Sequence, residues 1–222
     1  MTEREKILGR IREALTVSAP TPGHQPASIR TPAGARRWLP AVGEIFEEQL
    51  TRFRARAADL KADFQLVENR EELATRIREL AKAEGWSRVA SHQGELAGLA
   101  REALQLLCMF TDKPYDVNEL EACDAGISEC DALVAQTGSV LITSRSAGGR
   151  ALSVLPPHHV VIARREQLLP DLPAAFEFLK KKYAPNYPSF TSFITGPSRT
   201  GDIERILVLG AHGPRKLTIF CL

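Results

Sequence analysis

The chain has 222 residues, 44% hydrophobic and 25% charged, enough to bury one full core and leave a small appendage. Its 29 basic and 27 acidic residues nearly cancel, so nothing global steers it toward nucleic acid or an anionic membrane. The uncharged run from Ala132 to Ser144 is far too short to cross a bilayer. The opening Met1-Thr2-Glu3-Arg4-Glu5-Lys6 lacks the apolar stretch of a secretory signal, so a cytoplasmic location is expected.

Thr2-Glu3-Arg4-Glu5 has capping-box spacing, and Ile7, Leu8, Ile11 and Leu15 follow on one helical face. Ser18 to Leu39, with Pro20, Pro22, Pro26, Pro32, Gly23 and Gly34, reads as an extended tether, so residues 1–41 form a helical arm and 42–222 the folded domain. Arg30, Arg36 and Arg37 within the tether read as solvated charges or as an anion-binding cluster.

A second helix is expected from Ala41, carrying Ile45, Phe46, Leu50, Phe53, Ala57 and Leu60 on one side. Strand and helix then alternate. Phe64 to Val67 is a strand, Asn69-x-x-Glu72 caps a helix with Leu73, Ile77 and Leu80 inward, and Arg88 to Ala90 is a strand. Leu96, Leu99, Ala100, Ala103 and Leu104 mark a helix leading into a buried strand, Leu107 to Phe110. Further strands are read at Ser139 to Thr143, His159 to Ala163, Ser189 to Thr195 and Lys216 to Cys221, with a helix from Pro173 at its first position through Lys180. The alternation implies an α/β fold with a largely parallel sheet flanked by helices.

Local motifs exclude much. GxGxxG, a Walker loop, HExxH and GxSxG are all missing from the sequence. Cys108, Cys123, Cys130 and Cys221 show no C-x-x-C pair and read as small buried residues. No His spacing supports a metal site, and none is expected.

Four segments nevertheless stand in register: Ala135-Gln136-Thr137-Gly138-Ser139, then Leu155-Pro156-Pro157-His158-His159-Val160-Val161, then Gly196-Pro197-Ser198 with Thr200 and Asp202-Ile203-Glu204, then Gly210-x-His212-Gly213-Pro214. Over residues 124–214 they resemble the lactate-utilisation protein C family, the LUD domain. The resemblance implies a fold like that of the ribose-5-phosphate isomerase, sugar-phosphate deaminase and CoA-transferase group. It also implies a part in bacterial L-lactate oxidation beside iron–sulfur partner proteins, with clusters in the partners and no cofactor in this chain. In one respect the chain departs from the family, which often carries an acid where Gln136 stands. An amide cannot form the thioester of a CoA-transferase.

Thr137, Gly138 and Ser139 before one strand, and Gly196, Ser198 and Thr200 after another, offer hydroxyls and backbone N–H groups to a small anion. The same residues also suit turns that satisfy their own backbone. Asp202 reads as a ligand contact or a helix cap, and Glu204 as the candidate acid or a solvated carboxylate. His212, beside Gly213, is the candidate general acid or base, or a loop histidine bonded to a carbonyl. Of the adjacent pair, His159 matches the family position; alternation along a strand keeps both histidines from facing inward together. Gly148-Gly149-Arg150 with Arg145 is either a loop closing over an anion or two solvated arginines.

These residues support an accessory ligand-binding subunit of a lactate-oxidising system. Two alternatives stand: an isomerase-like or transferase-like enzyme acting on a phosphorylated or CoA-linked substrate through His212 and Glu204, and a pure interaction module. The arm is too short to be a stable helix unless its apolar face is covered, and exchange of arms between copies would make a homo-oligomer. Deletion of residues 1–40 is expected to leave the α/β domain folded by circular dichroism while weakening association in size-exclusion chromatography; an unfolded remainder would place the arm in the core.

Overall fold

The computed structural model describes residues 2–16, 42–200, 208–209 and 213–222. The chain divides into two units, Met1–Pro40 and Ala41–Leu222. In the first, helix α1 (Glu3–Thr16) opens with the expected reciprocal cap: Thr2 N donates to Glu5 Oε2 at 2.7 Å and Glu5 N to Thr2 Oγ1 at 3.3 Å. Ile7, Leu8 and Ile11 on its apolar stripe are exposed.

The second unit starts with α2 (Phe46–Asp59), five residues later than its apolar pattern suggests. Side chains hold the preceding segment out of the helix: Glu44 N donates to Glu48 Oε2, and Gln49 Nε2 donates to the Gly43 carbonyl. There follow β1 (Asp63–Leu66), α3 (Arg70–Glu84), β2 (Arg88–Ser91), α4 (Glu95–Leu104), β3 (Leu107–Phe110), α5 (Val117–Glu121) and β4 (Ala125–Glu129). Asn69 caps α3 as its spacing implies, accepting from Glu72 N at 2.8 Å. Next come β5 (Ala132–Val134), β6 (Ser139–Thr143), β7 (His158–Ala163), β8 (Leu168–Leu169), α6 (Leu172–Tyr183), β9 (Thr191–Ile194), β10 (Arg199–Thr200), β11 (Val208–Leu209) and β12 (Lys216–Cys221). Asp171 caps α6, so Pro173 stands at its second position rather than its first.

Six strands form a wholly parallel sheet in the order β1-β12-β7-β4-β2-β3. One face is covered by α3 and α4, whose Leu73, Ile77, Leu96 and Ala100 pack on Val89, Ile127, Val160, Ile162 and Phe220. The other meets α2 and a second sheet through Phe53, Ala57, Val140, Ile142, Val161 and Ile219. That second sheet, β8-β5-β6-β9, is antiparallel at β5–β6 and β6–β9, and α6 covers its far side through Ala175, Leu179 and Tyr183. Burial on both faces accounts for the unbroken apolar runs of β5, β6 and β7. Strand β4 escapes the sequence reading because Ala125-Gly126-Ile127-Ser128-Glu129 carries small and polar residues, and β5 because it is three residues long. Gly126 is small for a steric reason: a Cβ there would lie 2.5 Å from the Leu152 carbonyl oxygen.

Covering both faces also corrects the reading of the two histidines. They do alternate, but both are buried, at 4% and 1% exposure. His158 turns toward the α3 side, edge-on to Trp86 at 5.2 Å, with Nε2 2.9 Å from Thr218 Oγ1. His159 turns toward the second sheet.

A buried carboxylate ties α6 down. Asp131 Oδ1 accepts from Tyr183 Oη at 2.5 Å and from Lys182 Nζ at 2.7 Å. Burial by itself raises the Asp131 pKa, but the Lys182 ammonium and the nearby hydroxyls outweigh it and hold the group below its ordinary range. Asp131→Ala is expected to destabilise the fold by about 1–3 kcal/mol in chemical denaturation, because two donors lose their acceptor; a negligible change would show that apolar packing alone holds α6.

Burial presses the His158 pKa down to about 4 and that of His159 to about 3. Both are neutral in the fold, whereas the unfolded chain takes up their protons near pH 6.5, so their stabilisation is complete above that pH and declines below it. Urea unfolding at pH 5 should show each histidine subtracting about 2 kcal/mol relative to pH 7.5; a stability unchanged across that interval would contradict their burial.

Candidate functional site

Pairing of β6 with β9 sets Val140 opposite Ile194 and so brings the start of one strand beside the end of the other. The two hydroxyl-bearing loops that flank them meet there. Ser139 Oγ lies 2.8 Å from Thr137 Oγ1 and 2.8 Å from Thr195 Oγ1, a chain of three hydroxyls joining the loops.

Beyond Thr195 the backbone turns through Gly196 and Pro197, and Ser198 N donates to the Pro214 carbonyl at 2.8 Å. This bond holds the Gly196–Ser198 turn against Gly213–Pro214. Between them and the sheet lies a cleft of ≈ 190 Å³. Its walls are Ser153 and Val154 on one side, Ile194 to Ser198 on another, Gly213 and Pro214, with His159 and Leu217 rising from the parallel sheet. Among the described residues the polar groups at hand are hydroxyls, backbone groups and one imidazole, set among apolar surfaces, an arrangement suited to a small oxygen-bearing ligand with an apolar part. His159 Nε2 is 2.8 Å from Ser128 Oγ, and its Nδ1 is buried with no hydrogen-bond partner among the described residues. With its pKa pressed down by burial and by the neighbouring His158, the ring works as a neutral imidazole.

Of the residues singled out from sequence, His159, Gly196, Ser198 and Gly213 line this cleft. Thr137 and Ser139 stand behind it, connected through Thr195. Gly138 and Gly196 have backbone roles. Both hold positive φ, 68° and 87°, and both lie against α2, where a Cβ would fall 2.7 Å from Arg56 Cβ and 2.8 Å from the Leu60 carbonyl oxygen. Arg199 adds a hydrogen bond to that same Leu60 carbonyl, closing the end of α2. Thr200 contributes backbone to β10. Asp202, Glu204 and His212 lie outside the described residues, as does the side chain of Thr200.

Arg145 and Arg150 do not line the cleft. The first stacks over Tyr183 at 5.6 Å, and the second donates to the Ser189 carbonyl at 3.1 Å, so both serve the loop they belong to. Gln136 is buried, and its backbone N–H donates to the Pro170 carbonyl. Sequence reasoning missed Ser128, Ser153, Thr195 and Leu217. The only available signal for Ser128 was a serine beside Glu129 at the end of the short run that forms β4. Among the described residues no three His, Cys, Asp or Glu side chains gather at metal-binding distance, and no helix is long and apolar enough to cross a membrane. Cys123, Cys130 and Cys221 are buried and Cys108 partly so, all as free thiols.

The chain is 34% identical over 105 residues to "Lactate utilization protein C 1" of Bacillus mycoides (strain KBAB4), covering 46% of this chain and 45% of that protein. To "Lactate utilization protein C" of Halalkalibacterium halodurans it is 37% identical over 100 residues, 44% of each chain. With the protein of the same name from Shouchella clausii the match is longer and weaker, 28% over 177 residues and 77% of each. The matched region thus spans less than half the length of two of these relatives. A crystal structure of a DUF162 family protein from Deinococcus radiodurans superposes with a TM-score of 0.60 at 22% identity, over 81% of this chain and 99% of that one, a likeness of fold. Residues 50–222, all of the parallel sheet and every described wall of the cleft, match the LUD domain, and the chain belongs to that family.

Proposed function

We propose that this LUD-domain protein serves lactate utilisation as an accessory subunit that binds a small carboxylate ligand and works beside iron–sulfur partner proteins. The system is supported by the names of its relatives, and the partners by the family resemblance of its four loop segments. The observation that carries ligand binding is the cleft itself: the Gly196–Ser198 turn, bonded to Pro214 and floored by the neutral His159 ring, gathers the hydroxyl-bearing residues Ser153, Thr195 and Ser198 around one small volume. Hydroxyl groups hold a carboxylate or carbonyl oxygen without requiring a change of protonation at His159. Leu217, Ile194 and Val154 supply the apolar contact for a short aliphatic body.

Thermal unfolding of the full chain with L-lactate, pyruvate, inorganic phosphate and CoA tests this reading. A ligand at a hundred times its dissociation constant adds about 2.7 kcal/mol to the folded state, which raises the Tm of a chain this size by about 5–10 °C. Pyruvate or lactate should give that rise, and Ser198→Ala should diminish it while the unliganded Tm stays close to the original. If none of the four compounds moves the transition, the cleft is not a ligand site and the chain is better read as an interaction module.

A further inference from the structure

A row of four positions crosses the parallel sheet under the cleft. Leu217 of β12 stands opposite His159 of β7, His159 opposite Gly126 of β4, and Gly126 opposite Ala90 of β2. Neighbours in register share a face of the sheet, and the first two of these line the cleft. At Gly126 the row has no side chain. Its space is taken by the loop between β6 and β7: a Cβ there would lie 2.5 Å from the Leu152 carbonyl oxygen, 3.1 Å from Pro156 Cγ and 3.2 Å from Leu152 Cδ1. Leu152 is fully buried and packs with Ala90, Leu120 and Cys123, which anchors the loop to the sheet. The residues after it form one tight turn, in which Val154 N and Leu155 N both donate to the Ala151 carbonyl, at 3.0 and 2.9 Å, and Ser153 Oγ donates to the Arg150 carbonyl at 3.2 Å. Leu152 to Val154 therefore move as a unit, and Ser153 and Val154 are one wall of the cleft.

We infer that Gly126 is a positioning residue that decides which ligands the cleft takes: having no Cβ, it lets the Leu152 turn sit down on the sheet, and the Ser153–Val154 wall so placed limits the site to acids the size of pyruvate. The inference rests on the proposed ligand site and deepens it, from small carboxylates in general to short-chain ones. A methyl group at Gly126 has to push something aside. Strand β4 is paired with β2 on one side and β7 on the other, so it holds its place. The contact must then lengthen from 2.5 Å to at least 3.0 Å by lifting the turn off the sheet, the direction in which a strand side chain stands. The wall retreats with the turn. The cleft, ≈ 190 Å³ as it stands and below the roughly 300–1,000 Å³ of sites for larger ligands, opens on that side.

Calorimetric titration of the full chain with pyruvate and with 2-oxohexanoate, which differs only in a longer aliphatic tail, tests the inference. The unaltered chain should bind pyruvate at least tenfold more tightly, because a closed apolar pocket discriminates by about that factor for each methylene. Gly126→Ala should weaken pyruvate about tenfold and remove most of the preference, and its crystal structure should show Ser153 and Val154 displaced while β4 stays in place. Val154→Ala trims the wall at a partly exposed residue and leaves the sheet alone, so it should relax the preference in the same direction. A lowered Tm with the preference intact would make Gly126 purely structural and overturns the inference, as does an unaltered chain that takes both acids equally. If Gly126→Ala does not fold, the preference of the unaltered chain and its loss in Val154→Ala decide. If neither acid binds the unaltered chain, the ligand reading fails by itself, and the crystal structure of Gly126→Ala still judges the glycine: an undisplaced turn overturns its role.

Discussion

The structure depends on β7 lying in the middle of a parallel sheet that is covered on both faces. Every residue from His158 to Ala163 is buried, and β12 and β4 use its backbone groups on either side. A polar side chain in such a strand has no water to turn to and must be satisfied by a neighbour on the same face. The two histidines meet this demand in the same way on opposite faces: Thr218 of β12 serves one and Ser128 of β4 the other. Placing imidazoles here presses down their affinity for protons and turns them into fixed, uncharged hydrogen-bonding groups.

The second sheet extends the same logic outward. Its β6 is buried along its whole length, its apolar side chains facing α2 and the parallel sheet on one side and α6 on the other. Hydroxyls at its beginning, Thr137 and Ser139, pair with one another and with Thr195. The two glycines that looked like ligand cradles allow the loops to press on α2, which fixes where Ser198 stands.

Much of this was legible in the sequence. Period-3.6 stripes marked α3 and α4, the first with the Asn69 cap as well, and apolar runs marked β6, β7 and β12, because in those elements one factor, burial, governs residue choice. The second sheet was not legible, since β5 and β8 are three and two residues long and take their identity from partners distant in sequence. At the site, Gly196, Ser198 and Gly213 were found because glycine, proline and hydroxyl residues cluster there, and His159 because its place at the strand entrance matches the family position. Ser128 and Ser153 were not, because a single serine carries no pattern; its meaning comes from the ring it touches.

The parallel sheet joins parts of the chain that are far apart. Among the described residues β1 is an edge strand whose single partner is β12, with Asp63 opposite Thr218, and β12 also completes the pairing of β7. Until β12 is in place, β1 has no ladder to join and β7 has an open side. Closure of the sheet therefore waits for a contact that spans most of the domain, the kind of long loop closure that slows folding. In the interval β7, an apolar strand with one edge unpaired, is the segment most exposed to wrong partners, and the speed at which β12 inserts sets how long that exposure lasts.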